Sequence, residues 1–414
     1  MNILHICYSD RGGGAAIAAG KLHNTMLSQG LQSNFLVINK KSDGKNIIQA
    51  PASTRILIQI LFKISNLIKL LQKPSDNSYR SLNIFPTGLH HVINSLSPDI
   101  VQFHWINKNT ISISEIAKIT APVVWRLPDM WAFCGTEHYV SENRNRYSKG
   151  YHKYNKDSSH HGLDLDRYIW EHKQKHWKNL KLTIVCPSKW LSHCAQNSHL
   201  FKNYNIFNIP NPIDLDLYTP AANTAEIRRR FKLPRNKNLI MFVSVDVDAD
   251  KRKGYSYLFD ALDIFSAKVN CNDFELVILG SAKTTLTHIS GFKINYLGYK
   301  ESPQEIVSAY NAVDTVVLPT EADNLPNVIQ EAMSCGTPCV SFDVGGLPDM
   351  ITHQHDGYLA RPCESADLAQ GLFWMFEQDS KLLRQNARRS AEITHCPTTR
   401  TQEYVNIYKK LINT

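Results

Sequence analysis

Residues 315–351, TVVLPTEADNLPNVIQEAMSCGTPCVSFDVGGLPDMI, constrain the fold more than any other stretch of the chain. An apolar run at 315–318 is followed by a loop, a helical segment that closes at Cys335–Gly336, a second apolar run at 338–344 and a glycine turn. Strand, helix, strand is the alternation of an α/β domain, and a glycine just past the last helical residue is a normal helix stop. The loop carries Asp323, Asn324, Leu325, Pro326 and Asn327, and seven residues separate Asp323 from Glu331. One carboxylate therefore sits at the helix mouth and the other about two turns in. The unpaired N–H groups and partial positive charge of a helix N-terminus suit a phosphate. An ionised carboxylate only accepts hydrogen bonds, and can accept two, which suits hydroxyl groups. Phosphate plus vicinal hydroxyls describes a nucleotide sugar.

The same alternation runs through the rest of the chain. Residues 2–8 read as a buried strand, Gly12-Gly13-Gly14 as a turn, 15–29 as an alanine-rich helix stopping at Gly30, and 34–38 as a second strand. That is the opening of a doubly wound α/β domain. The glycines lack the G-x-G-x-x-G spacing, so a dinucleotide fingerprint is weak; a tight turn at Gly13 and Gly14 is one reading, and the family resemblance described below implies the equally good one, a loop facing the cleft. Strands follow at 99–105, ending in His104–Trp105, at 122–126, leading into Leu127-Pro128-Asp129-Met130-Trp131, and at 180–187; a helix is expected over 114–119. A second domain restarts with strands at 238–245, 274–279 and 294–297, helices at 255–269, 303–312 and 367–377, and two basic amphipathic helices at the end. Between its first strand and helix lies Asp250-Lys251-Arg252-Lys253-Gly254. A charge cluster there is by default solvated, yet the C-terminal end of a first strand is where a diphosphate needs neutralising.

Composition limits the partners. The 414 residues have room for two domains, and the nine cysteines, irregularly spaced, suit a reducing compartment. The first residues run straight into a strand, unlike a signal peptide, and no stretch is apolar for long enough to span a bilayer. Residues 1–189 carry 24 Lys and Arg against 12 Asp and Glu, whereas the remainder carries 22 against 25. A basic first half points to an anionic partner, and with no nucleic-acid motif present the reading is an anionic membrane surface rather than nucleic acid. The 55–73 segment, RILIQILFKISNLIKLLQK, has polar residues at steps of three or four and Ile, Leu or Phe nearly everywhere between. It predicts a helix with a narrow cationic stripe, either half-buried on its own sheet or lying in a membrane interface, with Lys40, Lys41 and Lys45 flanking it. His152, His160, His161 and His172 match no metal-site spacing; a solvated basic loop is expected and no metal.

D-N-L-P-N-V-I-Q-E-A-M-S-C-G-T-P, with G-G-L-P-D behind it, resembles the donor-site signature of the retaining glycosyltransferases of family 4, E-x7-E, with Asp323 in place of the first Glu. Further likenesses lie in F-H-W at 103–105, P-S-K-W-L at 187–191, I-P-N-P-I-D at 209–214 and K-G at 253–254. The resemblance implies the GT-B fold: two Rossmann-like doubly wound α/β domains facing a cleft, with a C-terminal helix crossing back to the first. The implied domains are 1–208 for the acceptor, 209–395 for the nucleotide sugar and 396–414 for the returning helix. It further implies retaining transfer from a UDP- or GDP-sugar to a hydroxyl of a saccharide or lipid-linked acceptor, without a required cofactor. Arg252 and Lys253 would hold the diphosphate, Asp323 and the backbone of 324–327 the sugar and its phosphate, and Glu331 the ribose hydroxyls. Asp129, His104 and His138 would line the acceptor side. Relatives read H-D-M-W where this chain has Pro128-Asp129-Met130-Trp131, and a proline offers no side-chain donor or acceptor. A silent nucleotide-sugar-binding partner subunit, or a GT-B hydrolase, phosphorylase or epimerase, are the alternatives. The implied setting is bacterial surface-polysaccharide assembly (O-antigen or exopolysaccharide) at the inner face of the cytoplasmic membrane.

Overall fold

The computed structural model describes residues 1–44, 46–76, 78–140, 145–244, 251–280 and 286–413. Lys45, Val245 and Asp250, which enter the expectations above, lie outside them. The chain divides into two compact units, one of Met1–Pro212 with Thr398–Thr414 and one of Ile213–Pro397.

The first unit is built on strands β1 (Asn2–Ser9), β2 (Gln32–Asn39), β3 (Ile47–Gln49), β4 (Gln72–Lys73), β5 (Ile100–Phe103), β6 (Val123–Arg126), β7 (His161–Gly162), β8 (Leu182–Cys186) and β9 (Asn205–Asn208). Seven of them form one parallel sheet in the order β3-β2-β1-β5-β6-β8-β9. Alternate residues of β1 enter different cores: Leu4 and Ile6 pack with Val101, Phe103 and Trp125, whereas Ile3 packs with Leu22, Met26 and Tyr408. Burial on both faces is why the strand reads as a continuous apolar run rather than an alternating one. Local chemistry starts the helices: Ser188 accepts from the Leu191 amide at 3.0 Å and opens the helix Lys189–Gln196. The final helix, Pro397–Ile412, belongs to this unit from Thr398 onward and donates from the Tyr408 hydroxyl to Gln102 Oε1 at 2.7 Å.

Two expectations change. The helix over 55–73 is Ala52–Lys69; the chain then turns and Gln72–Lys73 pairs antiparallel with His161–Gly162. The Gln72 amide donates to buried Asp166 at 2.7 Å, a tertiary bond that outcompetes helix continuation. The 114–119 helix is a single turn, Ile113–Ile116, because the Ser112–Glu115 capping box is also drawn to the amides of Thr87 and Gly88.

The second unit carries β10 (Asn238–Ser244), β11 (Phe274–Gly280), β12 (His288–Ile289), β13 (Phe292–Gly298), β14 (Thr315–Leu318), β15 (Cys339–Phe342) and β16 (Gly357–Ala360). Their order is β12-β13-β11-β10-β14-β15-β16, parallel except for β12. Leu239 and Met241 face one core, Ile240 and Phe242 the other. Both units are thus doubly wound α/β sheets, whose strands deliver ligand-binding loops at their C-terminal ends.

Candidate active site

In the second unit, the loop after β10 and the loop after β14 are sewn together. The Arg252 carbonyl accepts from the Glu321 amide at 2.8 Å and the Thr320 hydroxyl at 3.1 Å, and Arg252 Nη1 donates to the Ala322 carbonyl at 2.6 Å. Gly254 stands at φ +67°, where a Cβ would fall on the Pro319 carbonyl oxygen, so only glycine lets the two loops meet this closely. The result is an ion pair at 3.1 Å between Lys253 Nζ and Asp323 Oδ2. Burial alone would raise the Asp323 carboxyl, but Lys253, Arg252 and the Asn324 amide hold it below the usual carboxylate value. Gly345, at φ +56° with no room for a Cβ beside the Asp323 carbonyl, and the Gly346 amide at 3.0 Å pin this loop from the other side.

Asp323 leads directly into the helix Asn327–Ser334. Its N-cap is Pro326, with no capping side-chain bond and no acidic residue in the first turn. The positive end of that helix is suited to an anion. About one turn into this helix rather than the expected two, because the helix starts only at Asn327, Glu331 is 7% exposed and its Oε2 accepts from the Tyr310 hydroxyl at 3.2 Å. Tyr218 also hydrogen-bonds Glu331; burial and then the Glu331 charge push both phenols up, so they remain donors that aim the carboxylate. Neither tyrosine is visible as a site residue in the sequence, since they lie far from Glu331 along the chain and share no motif with it. Replacing Tyr310 by Phe is expected to raise KM for a nucleotide-sugar donor roughly 3–10-fold with kcat little changed, the loss of one orienting hydrogen bond; steady-state kinetics checks this.

In the first unit the expected residues separate. His104 is wholly buried, stacked on His5 with ring centres 5.2 Å apart and Nε2 2.9 Å from His5 Nδ1. Burial, then the neighbouring His5, drives its pKa well below the ordinary value, and no edge of the ring is open to a substrate. Asp129 and His138 do meet: His138 Nδ1 lies 2.6 Å from Asp129 Oδ2 and Nε2 lies 2.9 Å from Ser81 Oγ. Asp129 Oδ1 accepts from the Trp131 amide, and Tyr79 packs edge-on against the imidazole. The carboxylate fixes the ring's orientation, and Ser81 is a partner the sequence did not suggest. Gly13, at φ +96°, caps the helix Gly14–Ser28, which has no capping side chain and no acid in its first turn. His160, expected in a solvated loop, is instead buried with Nε2 3.4 Å from Asp76.

Beside His138, Glu137 points the other way, 3.3 Å from the Tyr151 hydroxyl, into a charged pocket that includes Asp76, Arg146, His160 and Asp166. Burial, then the Asp166 charge, raises Glu137 to about 8. An acid whose folded value stands above its ordinary 4.5 stabilises the native state fully below pH 4.5 and ceases to do so as pH rises to about 8. Glu137→Gln is expected to remove a fall of about 3 kcal/mol between pH 5 and 8, read from urea midpoints at the two pH values.

Residues 237–378 match the family model of glycosyl transferases group 1. A D-inositol 3-phosphate glycosyltransferase of Corynebacterium aurimucosum is 28% identical over 43% of this chain and 44% of its own length. The putative colanic acid biosynthesis glycosyl transferase WcaC of Escherichia coli is 22% identical over 99% of this chain and all of its own. The chain spans about half the length of the first curated relatives it matches. Among solved structures, sucrose-phosphate synthase from Thermosynechococcus elongatus superposes with a TM-score of 0.67 at 14% identity over the whole of both chains. Anabaena HepE in complex with UDP-glucose superposes at 0.65 with 16% identity, covering 99% of this chain and 100% of that one. The fold is therefore that of the GT-B glycosyltransferases. The match to the glycosyl transferases group 1 model lies wholly within the second unit.

Proposed function

We propose that the protein is a retaining glycosyltransferase that moves a sugar from a UDP- or GDP-sugar to a hydroxyl of a lipid-linked saccharide in bacterial surface-polysaccharide assembly. The observation that carries this is the Lys253–Asp323 pair at the N-terminus of the Asn327–Ser334 helix, with Glu331 aimed by Tyr310. Arg252 and Lys253 bind the diphosphate, Asp323 and the 324–327 backbone bind the sugar and its phosphate, and Glu331 accepts from the ribose hydroxyls. As the bond from the anomeric carbon to the phosphate oxygen breaks, the acceptor oxygen bonds the same face. The leaving phosphate oxygen takes the acceptor proton, and the two cations stabilise the departing charge without a metal. On the acceptor side, Asp129 orients His138, which stands in for the side chain that Pro128 lacks. The likeness to WcaC supports the polysaccharide setting, and the complex of HepE with UDP-glucose makes that sugar nucleotide the first donor to try.

The test is a thermal-shift screen of UDP- and GDP-sugars, with Glu331→Ala as control, because a ligand that binds only the native state raises its stability. A shift with one nucleotide that disappears in the variant supports the reading. No shift with any donor overturns it. A shift accompanied by donor hydrolysis in the absence of any acceptor would instead make the protein a sugar-nucleotide hydrolase.

A further inference from the structure

The outer face of the Ala52–Lys69 helix is uncovered. Ile56 is 58% exposed, Ile60 50% and Leu67 66%, and the stripe continues through Leu70 at 71% and Leu71 at 54%. Its inner face is the small one: Ile58 and Ser65 are buried, with Ser65 Oγ taking a bond from Asn109 at 2.8 Å. The stripe does not end with the helix. The Leu163 amide donates to the Leu71 carbonyl at 2.9 Å, which places another exposed leucine beside it. Contiguous exposed aliphatic surface of this kind marks an interaction site rather than ordinary surface.

Cations border the stripe, and the helix contains no acidic residue. Lys63 and Lys73 are exposed. Lys108 Nζ lies 4.9 Å from the Tyr8 ring and 5.9 Å from those of Phe62 and Trp105. Tyr8 is on β1 near its C-terminal end and Trp105 follows β5, so this ammonium joins the helix to the C-terminal edge of the sheet. Lys41 stands close by, its Nζ where a Cβ on Gly12 would come within 2.8 Å, and the two ammoniums repel one another. The adjacent carboxylate, Asp10, accepts from the Lys41 amide and the Ser42 hydroxyl. Among the described residues, neither Lys41 nor Lys108 forms an ion pair.

We propose that the 56–71 stripe and the Lys41–Lys108 pair form one docking surface for the anionic, phosphate-bearing lipid of a bilayer, with apolar chains against the stripe and phosphate at the lysines. Aliphatic side chains in a row beside uncompensated ammoniums match both ends of such an amphiphile, and a protein partner would need a carboxylate or phosphate at the same spacing. The surface places the C-terminal edge of the first sheet next to the membrane. It deepens the acceptor reading above, resting on that reading for what the lipid carries and not for the binding itself.

Full-length protein would be floated with vesicles of pure phosphatidylcholine and of phosphatidylcholine with about 30% phosphatidylglycerol. Wild type is expected to float with the anionic vesicles, less at high salt. Removing charge at two lysines should weaken partition about 20–30-fold, taking about fivefold for each. Lys41→Gln/Lys108→Gln and Ile60→Glu/Leu67→Glu should therefore both lose flotation, while the donor-induced thermal shift persists as proof of folding. Failure of wild type to float overturns the proposal, as does equal flotation of either double variant. A wild-type dimer that Ile60→Glu/Leu67→Glu converts to monomer in sedimentation equilibrium also overturns it, in favour of self-association. Absent flotation with an intact donor shift leaves the transferase reading standing; an absent donor shift with intact flotation does the reverse.

Discussion

Substituting Lys253 by alanine is expected to lower kcat for glycosyl transfer about 10²–10³-fold with the fold intact, the usual effect of deleting one preorganised charge at a departing anion. Lys253 is held beside the Asp323 carboxylate, where the proposed reading puts the diphosphate. Its side chain is 31% exposed, and the ion pair to Asp323 is its anchor. Such a partly exposed pair contributes about 1 kcal/mol or less to stability, so the variant should unfold near the wild-type denaturant midpoint. Acid titration supplies an independent check. Asp323 has a folded value below its ordinary 3.8, so its contribution is complete above that value and disappears as pH falls through the depressed one. Without Lys253 the depression shrinks, and the variant should lose less stability between pH 4 and 2 (roughly the window of a paired carboxylate) than wild type. A variant with wild-type kcat would remove Lys253 from the chemistry.

Lys173→Met is expected to have the largest effect on stability, about 3–5 kcal/mol, with no direct effect on the donor site. Lys173 is fully buried beneath the loop that joins Asp129 to His138. Its ammonium donates to the carbonyls of Trp131, Cys134 at 3.0 Å and Gly135 at 2.8 Å, and lies 3.8 Å from the centre of the Trp131 indole. Methionine fills a similar volume but leaves three buried carbonyls unpaired, the costly half of the hydrogen-bond asymmetry. Because those carbonyls belong to the turn between Asp129 and His138, the same variant should loosen that pair. Urea unfolding gives the stability change; a change under about 1 kcal/mol would mean that the loop finds other donors, and would show Lys173 to be dispensable.

Much of this was legible in the residues because it depends on short-range physics. Apolar runs of strand length, glycine stops and Ser or Asp caps determine where elements begin and end, and two such series in one chain are enough to define two doubly wound α/β units. The arrangement around Asp323 was legible for the same reason: Asp323, the helix start and Glu331 lie within one strand–helix unit, where spacing along the chain is spacing in space. Lys253 and Arg252 could be tied to it because loops after neighbouring parallel strands must share an edge of the sheet.

What tertiary structure alone decided involves contacts between segments far apart in sequence. His104 looked available at a strand end, yet the order β2-β1-β5 stacks it on His5 and closes it off. The 55–73 helix stopped early because Asp166, nearly a hundred residues later, takes the Gln72 amide. Tyr218 and Tyr310 aim Glu331, and Ser81 completes the His138–Asp129 array, through strand order and helix placement that periodicity does not encode. Sequence pattern reports which face of an element is apolar; it does not report which partner covers that face. That is why the amphipathic helix was evident from its residues alone, whereas its bare outer stripe and the lysines beside it, which form no ion pair among the described residues, became visible only once the chain had folded.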